Sequence, residues 1–443
     1  MADLSFEEFF NRLVAIENRV GAIEAKFDGV QLYPLLRVRI FYSIATQLGI
    51  FDDPHPSKAS TQQSIKPLNG FNGLVRSENV VLPFKRTVAG SDPYSDRILT
   101  LLNHDARVLP FEGDDDANPS VQRIRAYAAE KFMDSTKAII KNYKTIDKNT
   151  KRWHRIIEAF ENEFGVSLES VKKYPPNALR LAFNEGRAFE EYFRSVGAKH
   201  LYIVNAYSET AIVLGAKRAG VKVHEIQHGF ITALHPAYSY PKRFGMRRRV
   251  QNAPDEILTW GKFWTEGVTL PAGTGVQVTG PTESFKKFRD AARAQNRIKP
   301  KQVLFTSQGA VGSALLKAAI ETASQLSDHR VIYRLHPNES LEDYKDLAKS
   351  MAAKLPKNFE FSHRDPIFLE LVSESEYLVG AFSTTLYEGL ALGCKVLVLP
   401  LPGFEHVRHA IDLGDMTLVD SLETLPSQLA KAQPARDTTR YYA

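Results

Sequence analysis

Residues 376 to 400 read Glu-Tyr-Leu-Val-Gly-Ala-Phe-Ser-Thr-Thr-Leu-Tyr-Glu-Gly-Leu-Ala-Leu-Gly-Cys-Lys-Val-Leu-Val-Leu-Pro. The pattern predicts a buried strand from Tyr377 to Gly380, a turn rich in hydroxyls at Ser383, Thr384 and Thr385, and a helix that opens there and stops at Gly393. A second apolar strand from Lys395 to Leu399 follows. In a doubly wound sheet, ligands sit at the carboxyl ends of parallel strands, where a helix amino terminus offers free N–H groups and the positive end of its dipole. Residues 383 to 385 are thus either a seat for an anion, most simply a phosphate, or an ordinary N-cap. The stretch alone leaves both open.

Working outward, 443 residues allow two or three domains, and 43% hydrophobic with 24% charged residues is ordinary for a folded globular chain. The single cysteine, Cys394, excludes an internal disulfide and a cysteine-built metal centre, and reads as buried filler. No apolar run approaches the ~18 residues of a membrane span, and the amino terminus reads as an amphipathic, charged helix rather than a signal peptide. A cytoplasmic protein is expected, with peripheral contact at the cytoplasmic face of the inner membrane as an alternative role for its amino-terminal helices and basic segments.

Net charge is +6 and uneven. One cluster holds Lys242, Arg243, Arg247, Arg248 and Arg249; another spans Lys286 to Lys301. Such clusters meet anionic lipid, anionic substrate or nucleic acid, but no nucleic-acid module accompanies them, and the second also reads as a polar linker.

Residues 4 to 50 carry Phe6, Phe9, Phe10, Leu13, Ile16, Val20 and Ile23 at helical spacing, an apolar face suited to docking on the body of the protein. Residues 51 to 72 read as a linker or exposed loop. From Asn79 the chain alternates strands and helices, with a long helical stretch from about 119 to 195 interrupted near Pro175-Pro176. A βαβ unit runs from Leu201 to Ile226 and ends in Gln227-His228-Gly229. The acidic loop from Glu112 to Asp116 reads as a solvated turn, and no metal is expected. After a polar connector over 285 to 301, a second βα series fills the rest.

The expected fold is therefore α/β, two Rossmann-like lobes with a cleft between them plus amino-terminal helices, in segments 1–66, 67–288 and 289–443. Neither GxGxxG nor GxxxxGK[ST] is present.

Four loops at strand carboxyl ends of the second lobe collect its polar residues: Ser307-Gln308-Gly309, Arg334 with His336-Pro337, Ser362-His363, and Ser383-Thr384-Thr385 with Glu388 one turn into its helix. Alternation places Arg334 and His336 on one side, where they suit a phosphate, and Glu388 suits ribose hydroxyls. In the first lobe, His228 is placed to accept a proton from an attacking hydroxyl, with Glu209 as alternative base or orienting partner. Gln227, Gly229, His235, Tyr240, Lys242 and Arg243 line the same region and suit acceptor or donor sugar.

The combination of Gln227-His228-Gly229, Tyr333-Arg334-Leu335-His336-Pro337, and Gly380-Ala381-Phe382-Ser383-Thr384-Thr385 followed by Glu388-Gly389 resembles the HP-motif group of GT-B-fold bacterial transferases. That group includes sialyltransferases, Kdo transferases and teichoic-acid glycerophosphotransferases. The resemblance spans about residues 200 to 400. It implies a nucleotide-activated donor on the second lobe, with His336 and Ser383 to Thr385 near its phosphates, acceptor binding by the first lobe, and His228 at the place of the glycerophosphotransferases' His-Gly. The acidic base motif of the sialyltransferases is matched only in part, by Asn184-Glu185-Gly186, and no Asp follows Gln227-His228-Gly229.

The expected function is a metal-independent glycosyltransferase without cofactor. Its co-substrate is a nucleotide sugar, first a CMP-linked acidic sugar such as Kdo or sialic acid. Its acceptor is a glycan or lipid-linked glycan precursor of capsule, O-antigen or another surface polysaccharide. The alternatives are a CDP-polyol phosphotransferase of teichoic-acid type and a non-catalytic nucleotide-sugar-binding or scaffold protein of a polysaccharide assembly complex. A sugar-nucleotide epimerase fits less well, since no pair of acid/base carboxylates stands out.

Overall fold

The structure is a computed structural model that describes residues 4–27, 29–51, 65, 68–84, 92–145, 147–242, 249–295, 299–337, 339–364 and 367–443. The chain forms two compact units. The first holds Phe10–Leu48 and the chain up to Glu283; the second holds Ser284–Ala443 with the described residues before Phe10 and residues 49–51. The amino-terminal helical segment is apportioned between the two units rather than standing apart.

Helix Phe6–Val20 opens with a capping box: Glu8 N donates to Ser5 Oγ (3.2 Å) and Ser5 N donates to the Glu8 carboxylate (3.0 Å). Its apolar face, Phe6, Phe9, Phe10, Leu13 and Ile16, is buried. A two-residue hairpin of β1 (Lys26–Phe27) and β2 (Val30–Gln31), turning at Gly29 with φ 82°, separates it from helix Leu32–Gln47.

In the first unit, β3 (Asn79–Leu82), β4 (Arg107–Val108), β5 (His200–Val204), β6 (Lys222–Ile226), β7 (Glu256–Thr259) and β8 (Gly275–Val278) form one parallel sheet in the order β4-β3-β5-β6-β7-β8. Leu201, Ile203 and Val223 bury one face under Phe189, Tyr192, Ile212 and Val213, each contributing about 1.5–3 kcal/mol. Helices Gly186–Val196 and Thr210–Arg218 cross so closely that a Cβ on Gly215 would lie 2.6 Å from Phe189 Cβ. Pro175 and Pro176 open helix Pro175–Arg180 instead of breaking one, because proline fits the first helical turn. One π-helical turn, Leu181–Glu185, carries that helix into Gly186–Val196. Leu68 and Phe71, expected in a linker, are buried in this core.

In the second unit, β9 (Gln302–Thr306), β10 (Arg330–Arg334), β11 (Phe359–Ser362), β12 (Tyr377–Gly380), β13 (Lys395–Val398) and β14 (Thr417–Leu418) run parallel in the order β11-β10-β9-β12-β13-β14. Val303, Phe305, Val331, Val379 and Leu397 are fully buried, the near-continuous apolar runs that a doubly covered parallel sheet requires. The segment expected as a connector is largely helix Glu283–Gln295, and its Phe285 packs on Tyr442 at 4.7 Å. Cys394 is buried beside Lys299 Nζ at 3.2 Å.

The two orders differ. Numbered within its own unit, the second sheet runs 3-2-1-4-5-6 and reverses between β9 and β12; the first runs 2-1-3-4-5-6 and reverses between β3 and β5. Both are Rossmann-like, and each reversal opens a crevice at the strand carboxyl ends.

Candidate functional site

At the reversal point of the second unit, the loop after β9 meets the loop after β12. The Gln308 side chain joins them: Phe382 N donates to Gln308 Oε1 at 2.9 Å, and Gln308 Nε2 donates to Phe382 O. The Phe382 ring in turn packs against Phe51 (5.9 Å), His406 (5.8 Å) and the backbone of Gly403. Gly403 has φ 94°, and a Cβ there would meet the Phe382 ring at 2.7 Å, so no larger residue fits.

Ser307 faces inward. Its hydroxyl accepts from Tyr333 (2.9 Å) and donates to Glu339 (2.9 Å), which also accepts from Tyr344 (2.8 Å) and from His336 N (2.7 Å). Glu339 thereby ties the turn after β10 to the turn after β9. Arg334 is buried, donating to Ser362 Oγ (2.7 Å) and to Arg364 O (3.1 Å). The alternation expected to place Arg334 beside His336 does not hold, because β10 ends at Arg334 and the Glu339-closed turn leaves His336 exposed. Ser383 acts as N-cap of helix Thr384–Ala391, its Oγ accepting from Thr385 N (3.3 Å) and Thr385 Oγ1 (2.7 Å).

Ser307, Gln308, Arg334, Ser362, Ser383 and Thr385 thus brace the rim. Its exposed groups are Gly309, His336 and Pro337, with Arg364 of the loop after β11; Thr384 and Glu388 are half-buried. His363 is half-buried, with Nε2 lacking a partner among the described residues. The Glu388 carboxylate makes no hydrogen bond or ion pair among the described residues, and burial pushes its proton affinity up to about 7.

In the first unit, Gln227 is fully buried and bridges two loops, donating to Gly229 O (3.0 Å) and accepting from Trp260 N (2.9 Å). This fixes the turn that carries His228. The imidazole lies among Phe84 (5.6 Å), Tyr94 (6.3 Å) and Tyr207 (5.9 Å), with Nε2 3.5 Å from the Tyr207 hydroxyl. Burial pulls its pKa down to about 4, so the ring is neutral near pH 7. Its Nδ1 is buried without a partner among the described residues, and so is Oδ1 of Asn205 at the end of β5. Asn205 adopts a left-handed backbone (φ 63°), which asparagine tolerates better than most residues. Two such polar atoms at neighbouring strand ends are uncommon in a folded protein.

Beneath this rim, Glu225 on β6 is buried and accepts from Tyr238 OH (2.8 Å) and Ala206 N (3.1 Å). Burial raises its pKa to about 7, against the lowering effect of those two bonds. His235 is half-buried, its Nδ1 accepting from Ala237 N (3.1 Å) and its ring beside Tyr207 (5.7 Å). Tyr240 is a buried packing residue with the Arg37 guanidinium 4.4 Å above its ring. Glu209 is ion-paired with Arg125 (2.7 Å), which also holds Glu185 (3.1 Å); its carboxylate is committed to that pair. Gly229 is half-buried, Lys242 is exposed, and Arg243 lies outside the described residues.

Among the described residues no cluster of three potential metal-ligating side chains occurs, and no helix is long and apolar enough to cross a membrane. The acidic turn Glu112 to Asp116 is exposed, with Asp116 paired to Arg123 and Glu112 accepting from Gln122 Nε2 (3.0 Å).

No family model matches the chain, and no curated protein matches it in sequence. Solved structures similar to it include UDP-GlcNAc 2-epimerase from Neisseria meningitidis bound to UDP-GlcNAc (13% identity, 80% of this chain and 90% of that one, TM-score 0.44). MurG of Acinetobacter baumannii is also similar (15%, 57% and 70%, 0.37). So is CalG4, the calicheamicin glycosyltransferase (11%, 83% and 92%, 0.43). Likeness at this level says nothing about activity; the two Rossmann-like units stand on their own strand orders.

Proposed function

We propose that the chain is a GT-B-type glycosyltransferase whose second unit holds a nucleotide-activated sugar and whose first unit binds the acceptor hydroxyl. The observation that carries this reading is the His228 imidazole, neutral and with a buried nitrogen lacking a partner among the described residues, at the strand carboxyl end neighbouring the one that carries Asn205 Oδ1, which likewise lacks one there. In the reaction, the bond between the anomeric carbon and the donor phosphate oxygen breaks and the leaving nucleotide keeps the electron pair. The acceptor oxygen forms the new bond to that carbon, and its proton passes to His228. Asn205 Oδ1 accepts from a second hydroxyl of the acceptor. On the second unit, His336, Arg364 and the amino end of helix Thr384–Ala391 balance the phosphate charge, and Glu388 accepts from ribose.

A CMP-linked acidic sugar is the first donor to test, because the guanidinium at the carboxyl end of β10, Arg334, is committed to Ser362 and Arg364, leaving a sparse cation set suited to a monophosphate leaving group. The acceptor class we infer is a surface-glycan precursor. A thermal-shift screen of CMP, CDP, UDP and GDP tests the donor site, since a ligand that binds only the folded state raises its melting temperature. One nucleotide should stabilise the wild type and lose that effect in His336→Ala. If none does, the donor assignment fails, and turnover of a CDP-polyol instead of any nucleotide sugar would replace glycosyl with phosphoryl transfer.

A further inference from the structure

A second concave site lies at the opposite, amino-terminal edge of the first unit's sheet. It measures about 770 Å³, within the range of small-molecule pockets. Its walls include Lys217, Arg218, Lys222 and Arg249, with Asp255 and Phe183. Lys222 begins β6, and Lys217 and Arg218 end the helix before it. The five-residue strand β6 therefore separates this pocket from His228 by roughly 15 Å.

Two described acidic groups nearby, Asp255 and Glu256, are already engaged. Asp255 accepts from Val223 N (2.9 Å) and pairs with Lys217 (3.2 Å); Glu256 pairs with His224 (2.8 Å) and lies 3.4 Å from Lys222. Among the described residues Arg218 has no carboxylate within ion-pair distance. Its Nη1 donates to Ala182 O (2.7 Å), and its guanidinium sits 5.9 Å from the Phe183 ring. Both Ala182 and Phe183 belong to the π-helical turn Leu181–Glu185, a local widening that recurs at functional sites. Burial weakens the hold of Arg218 on its proton, with Glu190 opposing and Arg187 adding to the effect. Arg249 is exposed, and its guanidinium makes no bond or ion pair among the described residues. A half-buried guanidinium without a counter-ion is unfavourable unless an anion completes it, and the planar fork of arginine suits phosphate.

We propose that this pocket binds a phosphate-bearing anion, with Arg218 and Arg249 clamping the phosphate and Phe183 packing beneath the group attached to it. The phosphate can belong to a soluble metabolite or to a lipid headgroup.

Inorganic pyrophosphate is the probe for the shared chemistry, with calorimetry as the readout. The donor rim is a competing site, so His336→Ala serves as the background. There, pyrophosphate should bind, and Lys222→Glu with Arg249→Glu should weaken it at least about tenfold. Both are exposed positions, and a circular-dichroism melt confirms that the variant folds. Sedimentation with vesicles of phosphatidylcholine, with and without phosphatidylglycerol, separates the sources. Binding to the anionic vesicles alone, displaced by pyrophosphate and lost in the charge-reversed variant, assigns a lipid headgroup. Pyrophosphate binding without vesicle binding assigns a soluble phosphate. Absence of both, or affinities unchanged by the charge reversal, overturns the proposal, and neither result bears on the donor site.

Discussion

Gln308 and Phe382 are joined twice, side-chain amide to backbone, across the crevice where the second sheet reverses. The amide does what one more rung of sheet would do, but between loops. Gln308→Leu removes both bonds and leaves the N–H and C=O of Phe382 without partners, at a cost of about 1–3 kcal/mol. A lower melting temperature with donor KM raised about tenfold and kcat little changed is expected. An unaltered KM would show that the bridge does not shape the donor rim.

Arg37 and Glu17 form a buried ion pair at 2.6 Å, and Arg37 also donates to Ser239 O (2.8 Å) and Pro236 O. The pair holds the loop that carries His235 and Tyr240. Arg37→Met strands the Glu17 carboxylate in the core, and urea unfolding should show a loss of about 3–5 kcal/mol. Adding Glu17→Leu should recover much of it, because an apolar pair needs no counter-charge. If the double variant is no more stable than the single one, the loss lies in the carbonyl contacts instead.

His228 is held neutral by burial, with a pKa of about 4. As a base it must be unprotonated, so the acid limb of the kcat/KM profile should fall near pH 4 and not near the ~6.5 of a free imidazole. His228→Gln should cut kcat by about 100- to 10,000-fold and leave nucleotide affinity unchanged. Loss of nucleotide binding in that variant would remove His228 from the acceptor side.

Glu225 has its pKa raised from 4.5 to about 7 in the folded protein. Between those values the folded state binds more protons than the unfolded one, so stability should fall as pH rises from about 4.5 to 7 and then level off. Glu388, raised similarly and also by burial, adds in the same direction. Glu225→Gln keeps an acceptor for Tyr238 and Ala206 and should flatten this slope in melts taken across the range. A slope unchanged in that variant would assign the titration elsewhere.

Apart from β14, the strands of both sheets were legible as short runs bounded by glycine or polar residues, and Ser383 was legible as a helix start because hydroxyls before an apolar helix have few other uses. The hairpin strands β1 and β2 and the edge strand β14 were not, since each is two residues long and, unlike β4, none lies in a longer apolar run bounded by turn residues. Arg334 and Ser307 show a deeper limit. Both are polar residues at strand ends, the pattern that suggests a ligand, yet each spends its hydrogen bonds on residues about 26 to 37 positions away in sequence. Only the pairing of strands reveals that. Asn205 escaped notice for the converse reason: nothing in Val-Asn-Ala-Tyr betrays a left-handed backbone or an oxygen without a partner. Glu225 lies within an apolar strand, and that position was the one available sign of it.

The Arg37 contact also bears on how the chain reaches its native state. The residues it joins, 37 and 239, lie 202 positions apart, so the guanidinium emerges from the ribosome long before the carbonyls it will hold. Until the intervening β-strands have formed, Arg37 and Glu17 have only each other and water. Closing so long a segment comes late and slowly, which makes the loop around His235 one of the last parts of the first unit to acquire its shape.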